Sequence, residues 1–318
     1  MNPGINNRKV GIIGCGFVGS SSAFALMQSD IFSEIVLVDV DRDKAEGEAM
    51  DIAHGAPYGS SVKVTAGNYD DIADAAVIVI TAGAARKPGE TRLDLVNKNV
   101  HIFQGIIPEI KKRNYQGVLV IVANPVDILT RVAMEMSGLP AERVIGTGTM
   151  LDSSRLKAEL GHFLQVNPRS VHAFVIGEHG DSEIAALSSA NISGVPLNSF
   201  CEMRSIMNYQ ESMNKIAEDV KHVGAEIIKK NHATYYGVSM SVKRLCRAIV
   251  MDEQCVLPVS NVVHGRYGID HAVLSVPCII GKSGVEGNVP IALSLSEEHM
   301  LQESAKTLNE LWAKVKLD

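Results

Sequence analysis

Gly14, Gly16 and Gly19 form the pattern Gly-x-Gly-x-x-Gly within GCGFVG (14–19), directly after the apolar run KVGII (9–13). In a chain with 27 glycines such a pattern arises easily by chance, so its surroundings decide its meaning. Where a strand ends in this loop and a helix begins, each glycine has a task. The first permits the tight turn, the second lets backbone approach a pyrophosphate, and the third lets helix and strand pack closely. The helix N-terminus then offers unpaired N–H groups and the positive end of its dipole to the phosphates. Asp39 closes the next apolar run, twenty residues beyond Gly19. A carboxylate there accepts from ribose hydroxyls and repels a 2′-phosphate, which points to NAD rather than NADP. The plainer alternative is a glycine-rich turn with a capping Asp.

A second cluster lies in the other half of the chain. LDSSR (151–155) precedes IGEHGDS (176–182). Hydride transfer from an alcohol needs a base for the hydroxyl proton, and histidine titrates in a suitable range. Of the ten histidines, His179 stands out because it sits in a glycine-containing turn that can expose the ring. Taken alone, Asp152 and Arg155 also read as a helix cap and a surface ion pair.

These residues need elements to hold them. Lys9–Ile13, Ile35–Val38, Val62–Thr65, Val77–Ile80 and Val118–Val122 are continuous apolar runs rich in β-branched residues, the pattern of strands buried on both faces. Stretches long enough for crossover helices, Phe17–Gln28 and Leu93–Asn114, lie between them, and Pro108 predicts a kink in the second. Strand–helix–strand alternation predicts a doubly wound parallel α/β sheet. The rhythm changes near Gly146, where GTGT (146–149) makes a plausible hinge. Beyond it Val171–Ile176, Ala272–Val276 and Ile291–Leu295 read as strands and roughly 210–250 as helix. Leu301, Ala305, Leu308, Leu311, Trp312 and Val315 mark one apolar face of a C-terminal helix. The reading is an N-terminal Rossmann domain over 1–146 followed by an α+β catalytic domain over 147–318.

Composition narrows the class of function. A length of 318 residues suits two domains. Thirty basic against 36 acidic residues give a net charge of −6 without basic blocks, which argues against nucleic acid or a membrane surface as partner. Five scattered cysteines without a CxxC pair predict neither a disulfide framework nor a metal site, and fit a reducing cytoplasm. No apolar run reaches the roughly 18 residues needed to cross a bilayer.

Across essentially its whole length the chain resembles the NAD-dependent L-lactate/L-malate dehydrogenase family, through GCGFVG (14–19), TAGAARKPGETRLDL (81–95), VANPVDILT (122–130), LDSSR (151–155) and GEHGDSE (177–183). The resemblance implies a role for each matched residue. His179 becomes the acid/base, and Asp152 fixes its tautomer. Arg155 clamps the substrate carboxylate through paired hydrogen bonds. Arg92, on a loop that closes over the site, polarises the carbonyl. Asn124 orients substrate and cofactor, preceding a peptide bond to Pro125 that is cis in relatives. Gly14, Gly16, Phe17, Val18, Gly19, Asp39, Thr81, Ala82, Gly83, Val122 and Asn124 line the NAD groove. A homo-oligomer, a tetramer, is implied as well. A non-catalytic NAD-binding protein is the remote alternative, disfavoured because binding alone needs no base.

The family divides on substrate. Arg86 stands six positions before Arg92, where malate-type members carry arginine and lactate-type members glutamine. An arginine about 4 Å from a second substrate carboxylate gains roughly 4 kcal/mol at an effective dielectric near 20, before desolvation. That favours oxaloacetate/L-malate. The alternative is pyruvate/L-lactate, since GEHG (177–180), NISGVPL (191–197) and ATYYG (233–237) resemble the lactate branch and Thr234 is placed near the distal end of the substrate. Lys157 and His172 occupy the positions with which bacterial relatives bind fructose 1,6-bisphosphate. Lysine lacks the arginine fork, so the resemblance implies activation that is weak or absent.

Overall fold

The computed structural model describes residues 4–85 and 89–317. Six parallel strands begin the chain: β1 (Asn6–Ile13), β2 (Glu34–Val38), β3 (Lys63–Ala66), β4 (Ala75–Ile80), β5 (Val118–Ile121) and β6 (Val144–Gly146). They lie in the order β3-β2-β1-β4-β5-β6, so the strand order reverses between β1 and β4. Open α/β sheets bind ligands outside the carboxyl ends of the strands at such a reversal. The β-branched runs are central strands because both faces are covered; Val77, Ile78, Val79 and Ile80 are all fully buried. The covering helices are α1 (Phe17–Met27), α2 (Arg42–Gly55), α3 (Arg92–Lys112) and α4 (Val126–Ser137). Thr91 and Asp94 form a capping box that starts α3, and the helix continues through Pro108.

The second half contains α5 (Met150–Leu164), β7 (Val171–His172), β8 (Val175–Gly177), β9 (Glu183–Ala185), β10 (Asn191–Ile192), β11 (Val195–Pro196), α6 (Leu197–Met203), α7 (Tyr209–Asn231), α8 (Tyr236–Val250), β12 (Cys255–Val263), β13 (Ala272–Gly281), β14 (Gly284–Asn288) and α9 (Leu295–Trp312). The large sheet continues antiparallel past β6 through β12, β13, β8 and β9, with β14 on β13, while β11, β10 and β7 form a separate small sheet. A second hydrophobic cluster centres on Leu156, Leu160 and Leu164 of α5 with Met213 and Val220 of α7.

Three expectations change. The run Val171–Ile176 is two strands, β7 and β8, separated by Ala173 and Phe174. The helical stretch over 210–250 is two helices divided at 232–235, where His232 takes a positive φ of 62°. Ile291–Leu295 is no strand. Pro290 removes a donor just before it, and the Ile291 N–H donates to the Tyr267 hydroxyl at 2.9 Å instead of to a ladder. Ser294 and Glu297 then build the capping box of α9. That helix buries Leu301, Ala305 and Leu308 as its periodicity predicts.

Candidate active site

The loop after β1 is built for close approach. Gly14 has φ +100°, and a Cβ there would lie 2.6 Å from the Ala82 amide nitrogen. Gly19 packs against the Gly14 carbonyl, leaving no room for a side chain. At Gly16 a Cβ would meet nothing within 4 Å, so this backbone faces open space. Gly16 is the N-cap of α1, no side chain caps it, and the first turn carries no acid, which leaves its N–H groups and dipole free for an anion. Asp39, just past β2, accepts from the Cys15 N–H at 2.6 Å and the Asp41 N–H at 3.0 Å. Thr81 donates to the Gly14 carbonyl at 2.8 Å. A Cβ at Gly83 would lie 3.1 Å from that of Ala123. Phe17 is exposed and stacks on Tyr235, with ring centroids 5.3 Å apart. An open glycine cradle, a free helix terminus and a carboxylate at the ribose position fit NAD.

Val18, Val122, Asn124, Asp152, Arg155, His179 and Thr234 line one cleft of about 270 Å³ between the two halves of the chain. That is space for a small acid. At its floor, the Asp152 carboxylate is within 2.6 Å of His179 Nδ1 through one oxygen and accepts from Arg155 Nη1 at 2.9 Å through the other. Burial by itself raises Asp152, but the charge and hydrogen bond of His179, together with Arg155, outweigh it and hold the carboxyl below its usual range. Burial works against the imidazolium of His179, yet the carboxylates of Asp152, Asp127 and Glu183 raise it to about 9. The His179 side chain keeps 26% exposure, so the ring can meet a ligand. Arg155 is held from α5, and Gly224 of α7 leaves it room, since a Cβ there would lie 3.4 Å from Nη1.

The other sequence candidates fall at varied distances from this floor. Arg92, the first residue of α3, pairs with buried Glu178. The Asn124–Pro125 bond is cis, and Asn124 is exposed at the cleft. Arg86 lies outside the described residues. Lys157 places its ammonium over the Phe174 ring, 5.6 Å from the centroid, and burial followed by the charge of Arg244 lowers its pKa. His172 is exposed on β7.

Four residues escaped the sequence reading. Asp127, wholly buried in the first turn of α4, accepts from the His179 N–H at 2.9 Å and the Ser260 hydroxyl at 2.6 Å, fixing the backbone of the turn that carries His179. Asn99 of α3 donates to the Ala84 and Asn124 carbonyls at 3.1 and 2.6 Å and accepts from the Ala84 N–H at 2.7 Å. It ties the loop after β4 to Asn124. Its signal was available: Asn99 falls on the same helix face as Val96, Val100 and Phe103, where an unpartnered amide would be costly. Glu178 and Glu183 are buried acids flanking His179.

Residues 8–146 match the family described as lactate/malate dehydrogenase, NAD binding domain, and residues 149–317 its alpha/beta C-terminal domain. The chain is 47% identical to L-lactate dehydrogenase 1 of Clostridium acetobutylicum, covering 96% of this chain and 97% of that protein. It is 45% identical to an L-lactate dehydrogenase of Clostridium botulinum over 95% of each chain. Among solved structures, the ligand-bound minor L-lactate dehydrogenase from Enterococcus mundtii superposes with a TM-score of 0.95 at 41% identity, covering 98% of this chain and 99% of that one.

Proposed function

The chain belongs to the lactate/malate dehydrogenase family, an NAD-dependent oxidoreductase acting on 2-hydroxy acids, and from that premise we propose that its preferred pair is pyruvate and L-lactate. This replaces the malate preference expected from Arg86. The observation that carries it is that the relatives sharing 45–47% identity over nearly the full chain are named L-lactate dehydrogenases. Thr234 at the cleft agrees, because its branched side chain leaves less room beside the substrate than a smaller residue would. A second reading, oxaloacetate and L-malate, rests on Arg86 alone. The test is the ratio of kcat/KM for pyruvate and oxaloacetate with NADH. A ratio above one supports the lactate reading, and a ratio below one transfers the assignment to malate. In the latter case Arg86→Gln should move the ratio toward pyruvate.

When bound, NAD supplies the hydride acceptor or donor. Gly14, Gly16 and Gly19 with the α1 N-terminus receive its pyrophosphate, Asp39 its ribose, and Thr81–Gly83, Phe17, Val18 and Val122 flank its groove. Arg155 grips the substrate carboxylate with its planar fork, which sets C2 beside His179. In the reducing direction the imidazolium of His179 gives its proton to the C2 oxygen while Asp152 stabilises and orients the ring. In oxidation the neutral ring takes that proton back. Arg92, paired with Glu178 in this structure, is the residue that would stabilise negative charge developing on the oxygen. The division of labour falls near residue 146, with cofactor binding before it and proton chemistry after it.

The protein assembles as a homotetramer in this reading. A groove between α1, α2 and α8 exposes Phe24, Met240 and Tyr236, a patch suited to a second copy. Light scattering on the purified protein tests that state. No described helix is long and apolar enough to cross a membrane. A cytoplasmic location is part of the proposal, and the free cysteines agree with a reducing compartment. Fructose 1,6-bisphosphate is not expected to activate, since Lys157 is engaged over Phe174.

A further inference from the structure

Glu183 neither gives nor takes a proton in the steps above, yet it lies beside His179 and its charge is one of those that raise that ring. It is on β9, opposite Gly177 of β8, and is only 5% exposed. One of its carboxylate oxygens is wholly buried and has no hydrogen-bond partner. The residue also lines the substrate cleft, and ligand atoms of Glu183, His179 and Asp152 all lie within 4.8 Å of one another. An ionised carboxylate in that position would leave that oxygen with neither water nor a donor. It would also add a second negative charge beside ionised Asp152.

We propose that Glu183 is a specificity-determining residue whose protonation state sets how well the cleft accepts a second carboxylate on the substrate. The groups around it balance finely. Asp152 and Arg155 face it from α5, His179 from the turn between β8 and β9, and Lys221 from α7. Asp127 of α4 approaches from the far side of His179 and binds that residue's backbone. With Glu183 protonated, the negative charge of Asp152 is offset by His179 and Arg155, and the cleft tolerates an incoming anion. With Glu183 ionised, the cleft carries one more negative charge, which opposes a dianion about twice as strongly as a monoanion. Burial first, then the Asp152 charge, raises this carboxyl to about 8, so the change falls within the working range of a dehydrogenase assay.

The inference rests on the 2-hydroxy-acid dehydrogenase chemistry and not on which substrate is preferred. The test is kcat/KM for pyruvate, a monoanion, and oxaloacetate, a dianion, measured as initial rates from pH 6.5 to 9. Both reductions need the same imidazolium, so the titration of His179 cancels in the ratio. The pyruvate-to-oxaloacetate ratio should rise by up to roughly tenfold across that range, because a carboxyl titrating at about 8 goes from almost wholly protonated at pH 6.5 to about one-tenth protonated at pH 9. Glu183→Gln, which mimics the protonated acid in shape, should give a ratio that does not change with pH. A flat ratio in the unsubstituted enzyme overturns the proposal, as does a slope that persists in Glu183→Gln. The unsubstituted enzyme decides the matter even if the variant fails to fold. A malate-preferring enzyme shows itself in the ratio's value at neutral pH, whereas a wrong assignment of Glu183 shows in its slope.

Discussion

Replacing Asp152 with Asn removes the charge lying 2.6 Å from His179 Nδ1 while keeping the size of the side chain. In the native protein that carboxylate is the leading cause of an imidazolium that persists to about 9 against an ordinary 6.5. The difference corresponds to roughly 3 kcal/mol at about 1.4 kcal/mol per pH unit. Without it, only Asp127 and Glu183 are left to oppose the burial that disfavours the imidazolium, and the His179 pKa falls from about 9 toward its ordinary 6.5. At pH 7.5 the native ring is almost fully protonated, whereas a ring returned all the way to 6.5 would carry the proton in about one case in ten. Protonation alone therefore lowers kcat/KM for keto-acid reduction by up to about tenfold at that pH, and an amide N–H turned toward Nδ1 would lower it further by fixing the wrong tautomer. The assay is the pH profile of kcat/KM at saturating NADH, with NADH affinity measured separately by fluorescence. The alkaline limb should move down from near 9 toward neutral pH while NADH affinity is unchanged. An alkaline limb that stays near 9 would refute the coupling of Asp152 to His179.

Two further outcomes follow from the same geometry. Arg155→Lys keeps the charge but loses the fork, so KM for the keto acid should rise and kcat/KM should fall roughly tenfold to a hundredfold, the worth of one charged hydrogen bond. A KM equal to that of the unsubstituted enzyme would show that Arg155 does not hold the carboxylate. Asn99→Leu leaves the Ala84 N–H and the Ala84 and Asn124 carbonyls without their partner, at about 1–3 kcal/mol for each group that stays buried. Thermal unfolding should come several degrees earlier, and an unchanged Tm would mean that water replaces the amide.

The parallel half of the fold was legible because its signals are local and redundant. Val77–Ile80 is apolar at every position, since helices cover both faces, and the loop after β1 announces itself by glycines that sterics require. The second half was harder to read. Strands such as β7 and β10 have two residues each, too short for any alternation to show. Ile291–Leu295 has the composition of a strand, and only Pro290 and the capping box at Ser294 disclose otherwise. In the site, His179, Asp152 and Arg155 were found through their motifs, and the structure brings them into one hydrogen-bonded group. Asp127 and Glu183 lay inside the quoted motifs and went unremarked, because an acidic residue in a sequence looks solvated. Their chemistry comes from burial, which depends on how α4 and β9 pack around the turn at His179.

The proposed activity depends on His179 giving and taking a proton in the cleft between the two halves of the chain. His179→Asn keeps a polar side chain in the turn but cannot carry that proton. NADH binding should be retained, and kcat for 2-keto-acid reduction should fall by orders of magnitude, within the roughly hundredfold to ten-thousandfold that general acid catalysis supplies. Near-normal turnover by a folded, NADH-binding His179→Asn protein would contradict it.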